Sequence, residues 1–270
     1  MTPFAYSLFS GSSGNCYIIG DEKTRILIDA GVSARKISCA LSELSLSLSD
    51  ISAIFVTHEH VDHVKGLEVI SKNAKIPVFM TEGCARALIK DKSSHILPVL
   101  SMFRGDISAK IGDISVKSFP IPHDASAPVG YVVELCGKKF GFATDAGRVT
   151  SEMIERLIGC DAAVIEANHD VGMLKNGPYP YILKERSLSD RGHLSNESCA
   201  ALARLLAENG TKSLALGHLS AENNLPSLAG DAVRRAVGCG CYIADDDSAE
   251  NSGVRIVVAR RDAPTKIEII

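Results

Sequence analysis

The hexapeptide His58-Glu59-His60-Val61-Asp62-His63 brings three imidazoles and the Asp62 carboxylate together directly after the apolar run Ile51 to Val56. Crowding titratable groups this densely is unfavourable unless something binds them. The apolar run reads as a strand delivering Thr57 to the end of a sheet. Gly66 and the spacing of Leu67 and Ile70 predict a helix starting just beyond, so the cluster falls in a strand-to-helix turn. In extended or turn backbone His58 and His60 point to one side, while the adjacent Asp62 and His63 diverge. Side chains presented in two directions suit two metal ions rather than one.

Four further positions of the same kind follow apolar runs: Asp29, His123, Asp145 and His218. Taken singly, an Asp or His at a strand end is more often a turn former or a solvated group than a ligand. Taken with the hexapeptide they predict a dinuclear centre. The donors are imidazole and carboxylate without thiolate, a set that accommodates zinc, manganese or iron. His193 stands just before an apolar-periodic stretch, Glu197 to Ala207. A helix N-terminus there offers N–H groups and a positive dipole end to an anionic oxygen, with Ser195 or Asn196 as cap.

The elements that must position these residues alternate in type. Cys16 to Gly20 and Thr24 to Ala30 read as a hairpin turning at Asp21-Glu22-Lys23. Helical spacing follows in Ala34 to Leu44 and Val64 to Ile70, with strands at Ala53 to Thr57 and Val78 to Thr81. A second group of strands covers Ile114 to Phe119, Gly130 to Leu135, Lys139 to Ala143 and Ala162 to Glu166, with a tight turn at Cys136-Gly137-Lys138. Beyond it Glu197 to Ala207 and Pro226 to Val237 are helical, Ser213 to Leu216 is a short strand, and Gly253 to Ile270 reads as a closing β pair. Hairpins followed by β/α units thus occur twice. The expected α/β architecture is two packed sheets flanked by helices, in one domain spanning 1–270.

At 46% hydrophobic residues, 270 residues can bury a sizeable core. No apolar run approaches the roughly 20 residues of a membrane helix, and no leader pattern opens the chain, so a soluble, cytoplasmic protein with no membrane partner is expected. The eight cysteines are scattered without a Cys-x-x-Cys pair and read as buried thiols; Cys239-Gly240-Cys241 is the one close pair. A net charge of −3 excludes binding a polyanion through a global field and leaves only local basic patches. The run Asp245-Asp246-Asp247 reads as a solvated turn, and His95 as a surface loop residue.

In the order and context of these motifs the chain resembles the metallo-β-lactamase superfamily, over nearly its whole length. That resemblance implies a four-layer αββα sandwich with two divalent ions where its halves meet. His58, His60 and His123 would hold one ion, Asp62, His63 and His218 the other, with Asp145 bridging. Asp29 would stand behind them, fixing a ligand or the loop that carries it. Asp145 occupies the place of a thiolate in many true β-lactamases, and His60 that of a carboxylate in flavodiiron oxidoreductases, so neither chemistry is favoured. The segment Gly192-His193-Leu194-Ser195-Asn196 is similar to that of ribonuclease Z and related phosphodiesterases, where such a histidine meets the scissile phosphate.

Closer still is the resemblance to the YycJ (WalJ) branch, carried by Ser10-Gly-Ser-Ser-Gly-Asn15, Glu166-Ala-Asn-His-Asp170, Gly192 to Asn196, and His218-Leu-Ser-Ala-Glu-Asn-Asn224. It implies a metal-dependent exonuclease acting on DNA from the 5′ end, with hydroxide between the ions as nucleophile and Asp62, Asp145 and His193 as the catalytic set. Ser12, Ser13 and Asn15 can cradle phosphate with backbone N–H groups, or simply form a tight turn. Asn168 and His169 at a strand end can face substrate or shape a turn. Lys175, Lys184, Arg186 and Arg191 gather before His193; as a loop they can guide single-stranded nucleic acid, helped by stacking on Tyr179 or Tyr181, or be ordinary surface. Three alternatives stay open: a cyclic or nucleotide phosphodiesterase, a thioesterase or lactonase, and a non-enzymatic metal-binding regulator. Oligomeric state and a choice of DNA over RNA leave no mark in the sequence.

Overall fold

A computed structural model describes residues 2–91, 94–238, 241–243 and 253–269. Cys239 and the Asp245–Asp247 run lie outside these residues, as does the side chain of His95. The first half comprises β1 (Phe4–Phe9), β2 (Cys16–Gly20), β3 (Arg25–Ile28), α1 (Ala34–Glu43), β4 (Ala53–Phe55), α2 (Val61–Val64), α3 (Leu67–Ala74), β5 (Val78–Thr81), α4 (Glu82–Asp91) and β6 (Leu100–Phe103). The second comprises β7 (Ser108–Ile111), β8 (Ile114–Pro120), β9 (Val129–Leu135), β10 (Lys138–Ala143), α5 (Ser151–Leu157), β11 (Ala162–Glu166), α6 (Val171–Asn176), α7 (Tyr181–Leu188), α8 (Asn196–Glu208), β12 (Ser213–Gly217), α9 (Pro226–Val237), β13 (Cys241–Ile243), β14 (Val254–Val258) and β15 (Thr265–Ile267).

Two sheets result, ordered β15-β1-β2-β3-β4-β5-β6 and β13-β14-β12-β11-β10-β9-β8-β7. Each passes from antiparallel hairpins (β1 to β3, β7 to β10) to parallel strands joined by crossovers (β3 to β6; β10, β11, β12 and β14). This is the twice-repeated pattern legible in the sequence.

Strand β2 shows why the sheets stack. Its residues are all buried, yet Tyr17 and Ile19 enter a core shared with Tyr131, Phe140 and Val164 of the other sheet, while Cys16 and Ile18 enter a second core with Ile37, Leu41 and Ile70. Period-two alternation thus feeds two layers at once. On the far side Leu157, Leu202, Leu206 and Val233 cover Ile165, Leu214 and Leu216. Helix, sheet, sheet, helix is the four-layer sandwich expected of the sequence.

Three expectations need correction. The tail is not a β pair: β14 lies parallel to β12 in the second sheet, whereas β15 runs antiparallel to β1 in the first. The hexapeptide is not all turn, because His60 caps the one-turn helix α2, which carries Asp62 and His63 ahead of a separate α3. The basic segment before His193 is not an open loop but two short helices, α6 and α7.

Candidate metal centre

The site collects at strand C-terminal ends: Asp29 follows β3, His58 follows β4, His123 follows β8, Asp145 follows β10 and His218 follows β12. Asp29, Asp145 and His218 have φ of 63°, 57° and 55°. Left-handed backbone at a non-glycine residue costs roughly 1–3 kcal/mol and is held only where surroundings over-determine it. Here they do. Asp29 N–H donates to Phe55 O (2.8 Å), Ala30 N–H to His63 O (2.9 Å), Asn15 N–H to Asp62 O (2.8 Å) and Gly31 N–H to Asn15 O (2.8 Å). These bonds bind the turns after β1 and β3 onto α2. Gly31 is required there, because a Cβ would lie 1.7 Å from Asp62 O.

Two groups of three donors form. In the first, His58 Nε2 lies 3.0 Å from His60 Nδ1, and the His123 ring is 5.0 Å and 5.1 Å from their centroids. In the second, Asp62 Oδ2 is 3.7 Å from His63 Nε2 and 3.5 Å from His218 Nε2. Asp145 stands between them, with Oδ2 3.2 Å from His63 Nε2 and Oδ1 3.3 Å from His218 Nε2 and 3.8 Å from His123 Nε2. His123 Nε2 and Asp145 Oδ2 are buried yet make no hydrogen bond among the described residues. Buried acceptors left in that state need a partner. An imidazole and carboxylate set with donor atoms within 4.8 Å of one another provides divalent ions with one. The residues fit.

Supporting contacts aim the donors. His63 Nδ1–H donates to Asp29 Oδ2 (2.8 Å), and Asp29 also accepts from the Thr57 N–H (2.8 Å) and hydroxyl (2.9 Å). His58 Nδ1–H reaches the same Thr57 hydroxyl (3.0 Å), and His123 Nδ1–H donates to Gly192 O (3.0 Å). Each contact fixes a tautomer and leaves Nε2 toward the cleft.

Glu166, to which the sequence reading gave no role, does this for two rings. Its Oε1 accepts from His193 Nδ1 (2.8 Å) and His218 Nδ1 (3.0 Å), and Oε2 from Ala146 N–H and Leu194 N–H (2.8 and 3.2 Å). It lies on the Nδ1 side, behind the rings. Its signal was present: an acid closing a wholly apolar strand, as at Asp29 and Asp145.

Electrostatics follow from these buried carboxylates. Burial opposes charge on His63, but Asp29 and Asp145 outweigh it and hold the ring well above the ordinary imidazole range. His218 is likewise raised, to about 10, by Asp145, Asp62 and Glu166 against its burial. Burial would raise Glu166, yet His193 and His218 bring it down to about 2. Asp145 is held well below the usual carboxylate range by His218 and His63, against its burial. Burial and the neighbouring His63 keep His58 well below its usual range, which favours the neutral ring. The buried acids thus favour positive charge on His63 and His218, a charge that a divalent ion would supply in its place.

Of the expected substrate residues, Ser12, Asn168, Arg186 and His193 line the cleft with Tyr179 and Ser220. Asn168 Nδ2 donates to His218 O (3.0 Å). Arg186 forks onto Asp124 (2.5 and 3.0 Å) at the mouth. The others do not line it. Ser13 is exposed, and Asn15 is buried behind the donors, its Oδ1 accepting from Gly11 N–H (2.9 Å) and its Nδ2 3.1 Å from His63 Nε2. His169 is buried, its carbonyl taken by Asn196 N–H (2.8 Å). Ser195 caps α8 through Ser198 N–H (3.2 Å), so that helix turns His193 rather than its own N–H groups to the cleft. Arg191 spends its guanidinium on His123 O (2.9 and 3.0 Å). Lys184 Nζ caps Lys175 O (2.8 Å).

The chain belongs to the beta-lactamase superfamily, whose domain model matches residues 24–218. Within it, the chain is 40% identical over 232 residues to exodeoxyribonuclease WalJ of Streptococcus pneumoniae, covering 84% of this chain and 85% of that one. It is 37% identical over 236 residues to exodeoxyribonuclease YycJ of Bacillus anthracis, covering 85% and 87%. Among solved structures, zinc-bound PqqB from Methylobacterium extorquens shares the fold at a TM-score of 0.70 and 16% identity, over 98% of this chain and 99% of that one. The protein is a metal-dependent hydrolase, and its His/Asp cluster binds divalent metal. No helix among its described residues is long and apolar enough to cross a membrane.

Proposed function

We propose that the protein is a DNA exonuclease working from the 5′ end of single strands with two divalent ions, zinc, manganese or iron. The observation that carries this reading is the Asp145 carboxylate, within 3.8 Å of imidazoles from both donor groups. One carboxylate facing two sets of three donors is the arrangement of a two-ion site. The names of the relatives supply the substrate and its class of reaction. When bound, the ions polarise the phosphoryl group and lower the pKa of water so that hydroxide is available near neutrality.

His58, His60 and His123 form one ligand set, Asp62, His63 and His218 the other, and Asp145 faces both. Asp29 and Glu166 hold ring orientation. His193, with Nδ1–H on Glu166, turns Nε2 into the cleft, where the doubly protonated ring donates Nε2–H to a phosphoryl oxygen or passes that proton to the leaving alkoxide and is left neutral with Nδ1–H on Glu166. Ser12, Asn168 and Arg186 contact the strand at the mouth.

The test is digestion of single-stranded DNA labelled at either end, with protein loaded with manganese or zinc and an Asp62→Ala control. Stepwise release from the 5′ end by the wild type alone is expected. No cleavage of DNA, with a small phosphodiester still hydrolysed, would assign the site to a small-molecule phosphodiesterase.

A further inference from the structure

The metal cleft encloses about 250 Å³, room for a phosphodiester group. Sites that bury a whole organic ligand run to roughly 300–1,000 Å³. A strand cut there must seat its flanking nucleosides elsewhere. Beside the cleft, across the segment Leu219–Ser220 that follows His218, opens a second cavity of about 760 Å³. Ser220 lines both. Ser10 lines the larger one and accepts the His218 N–H on its hydroxyl at 2.8 Å, so the two hollows share a wall.

The chemistry of the second cavity differs from that of the first. Its surface carries an aliphatic strip, Leu219, Leu225, Pro226, Val257 and Val258, among hydroxyl and amide side chains such as Asn224, Ser227 and Thr265, and Arg260 and Arg261 border it. The Arg261 guanidinium donates to Leu219 O (3.1 Å) and lies 3.2 Å from where a Gly11 Cβ would stand. It therefore occupies the seam between the cavity and the Ser10 to Asn15 turn. Asp231 and Asp262 also reach the rim; Asp231 is paired with Arg234 at 3.1 Å, and Asp262 faces solvent. A hollow with an aliphatic strip, hydrogen-bonding side chains and guanidinium groups at its edge complements a nucleotide, whose base presents flat apolar faces with polar edges and whose phosphate is anionic.

We propose that this cavity is a subsite for single-stranded DNA, seating the base next to the scissile phosphate against Leu225 and Val258, with the adjoining phosphate on Arg261. The inference rests on the nuclease reading of the metal centre. It is tested with Leu225→Glu, which places a carboxylate on an exposed part of the floor, and Ala221→Trp, which fills the cavity from an exposed position. Both metal-loaded variants are compared with wild type on labelled single-stranded DNA and on bis(p-nitrophenyl) phosphate, after metal content and circular dichroism match wild type.

The expected result is about a tenfold fall in kcat/KM on DNA, carried by KM, the scale of losing the burial of one aliphatic side chain. Turnover of the small diester stays within about twofold of wild type. Unchanged DNA kinetics in both variants would overturn the subsite and leave the nuclease reading standing. Equal losses on both substrates would also overturn it, since the variants would then be acting through the cleft. A change of oligomeric state with DNA kinetics intact would overturn it in favour of a second copy of the chain as occupant. Wild-type protein that leaves DNA uncut would overturn the nuclease reading and the subsite together.

Discussion

One carboxylate oxygen, Glu166 Oε1, accepts hydrogen bonds from two imidazoles, so a single substitution tests how closely ring orientation governs the site. Glu166→Gln keeps the shape and removes the charge. Loss of such a supporting partner typically costs 10–100-fold, and turnover of a small diester is expected to fall about that far with helix and sheet content unchanged. Wild-type activity in this variant would remove Glu166 from the machinery. The ion-free protein carries a second signature. His218, raised to about 10, contributes stability that is complete below the ordinary imidazole range and is lost as pH climbs through 10. Glu166, lowered to about 2, contributes stability present above the ordinary carboxylate range and lost as pH falls toward 2. Urea midpoints of the chelated protein should therefore decline between pH 7 and pH 10; a flat profile would contradict the charge balance at His218.

Turns at strand ends and the one-turn helix α2 hold the donors. Gly31 lies under α2 with no room for a methyl group, so Gly31→Ala forces the Asp62 backbone away. Overpacking of this kind costs about 1–3 kcal/mol, and metal content after dialysis should fall together with the melting temperature. Ser195→Ala is the matched contrast: it removes the cap of α8 at a cost of about 1 kcal/mol and should leave metal content unchanged. The same contrast marks how far the sequence could be read. Long amphipathic elements such as α8 and α9, and strands such as β5 and β11, were legible because periodicity is local. Helices α6 and α7 were not: Tyr181, Ile182 and Leu183 are consecutive and exposed, so no buried stripe announces a helix. The separate destinations of β14 and β15 were also hidden, since alternation reveals a strand but not its partner. In the site, residues that follow apolar runs were found by type and position. Glu166 was passed over although it closes such a run, because its role comes from His193 and His218, 27 and 52 positions downstream.

The whole molecule closes through its tail, which crosses from the second sheet to pair β15 with β1 of the first. The donors divide along the same line: His58, His60, Asp62 and His63 follow the first sheet's β4, whereas His123, Asp145 and His218 follow strands of the second. Bound metal is thus a cross-link between halves that are also joined by packing, by the tail and by hydrogen bonds such as Tyr131 O–H to Val56 O (2.6 Å) and His218 N–H to Ser10 Oγ (2.8 Å). A ligand that recognises only the assembled form adds about 2.7 kcal/mol when present at 100 times its dissociation constant, so trypsin should digest chelated protein about 100-fold faster than metal-loaded protein. Equal digestion rates would show that the halves hold together without ions. The division of ligands also gives loaded and empty copies unequal fates: where a protease and a chelator compete for the same pool, the copies without metal are the ones expected to be cut first.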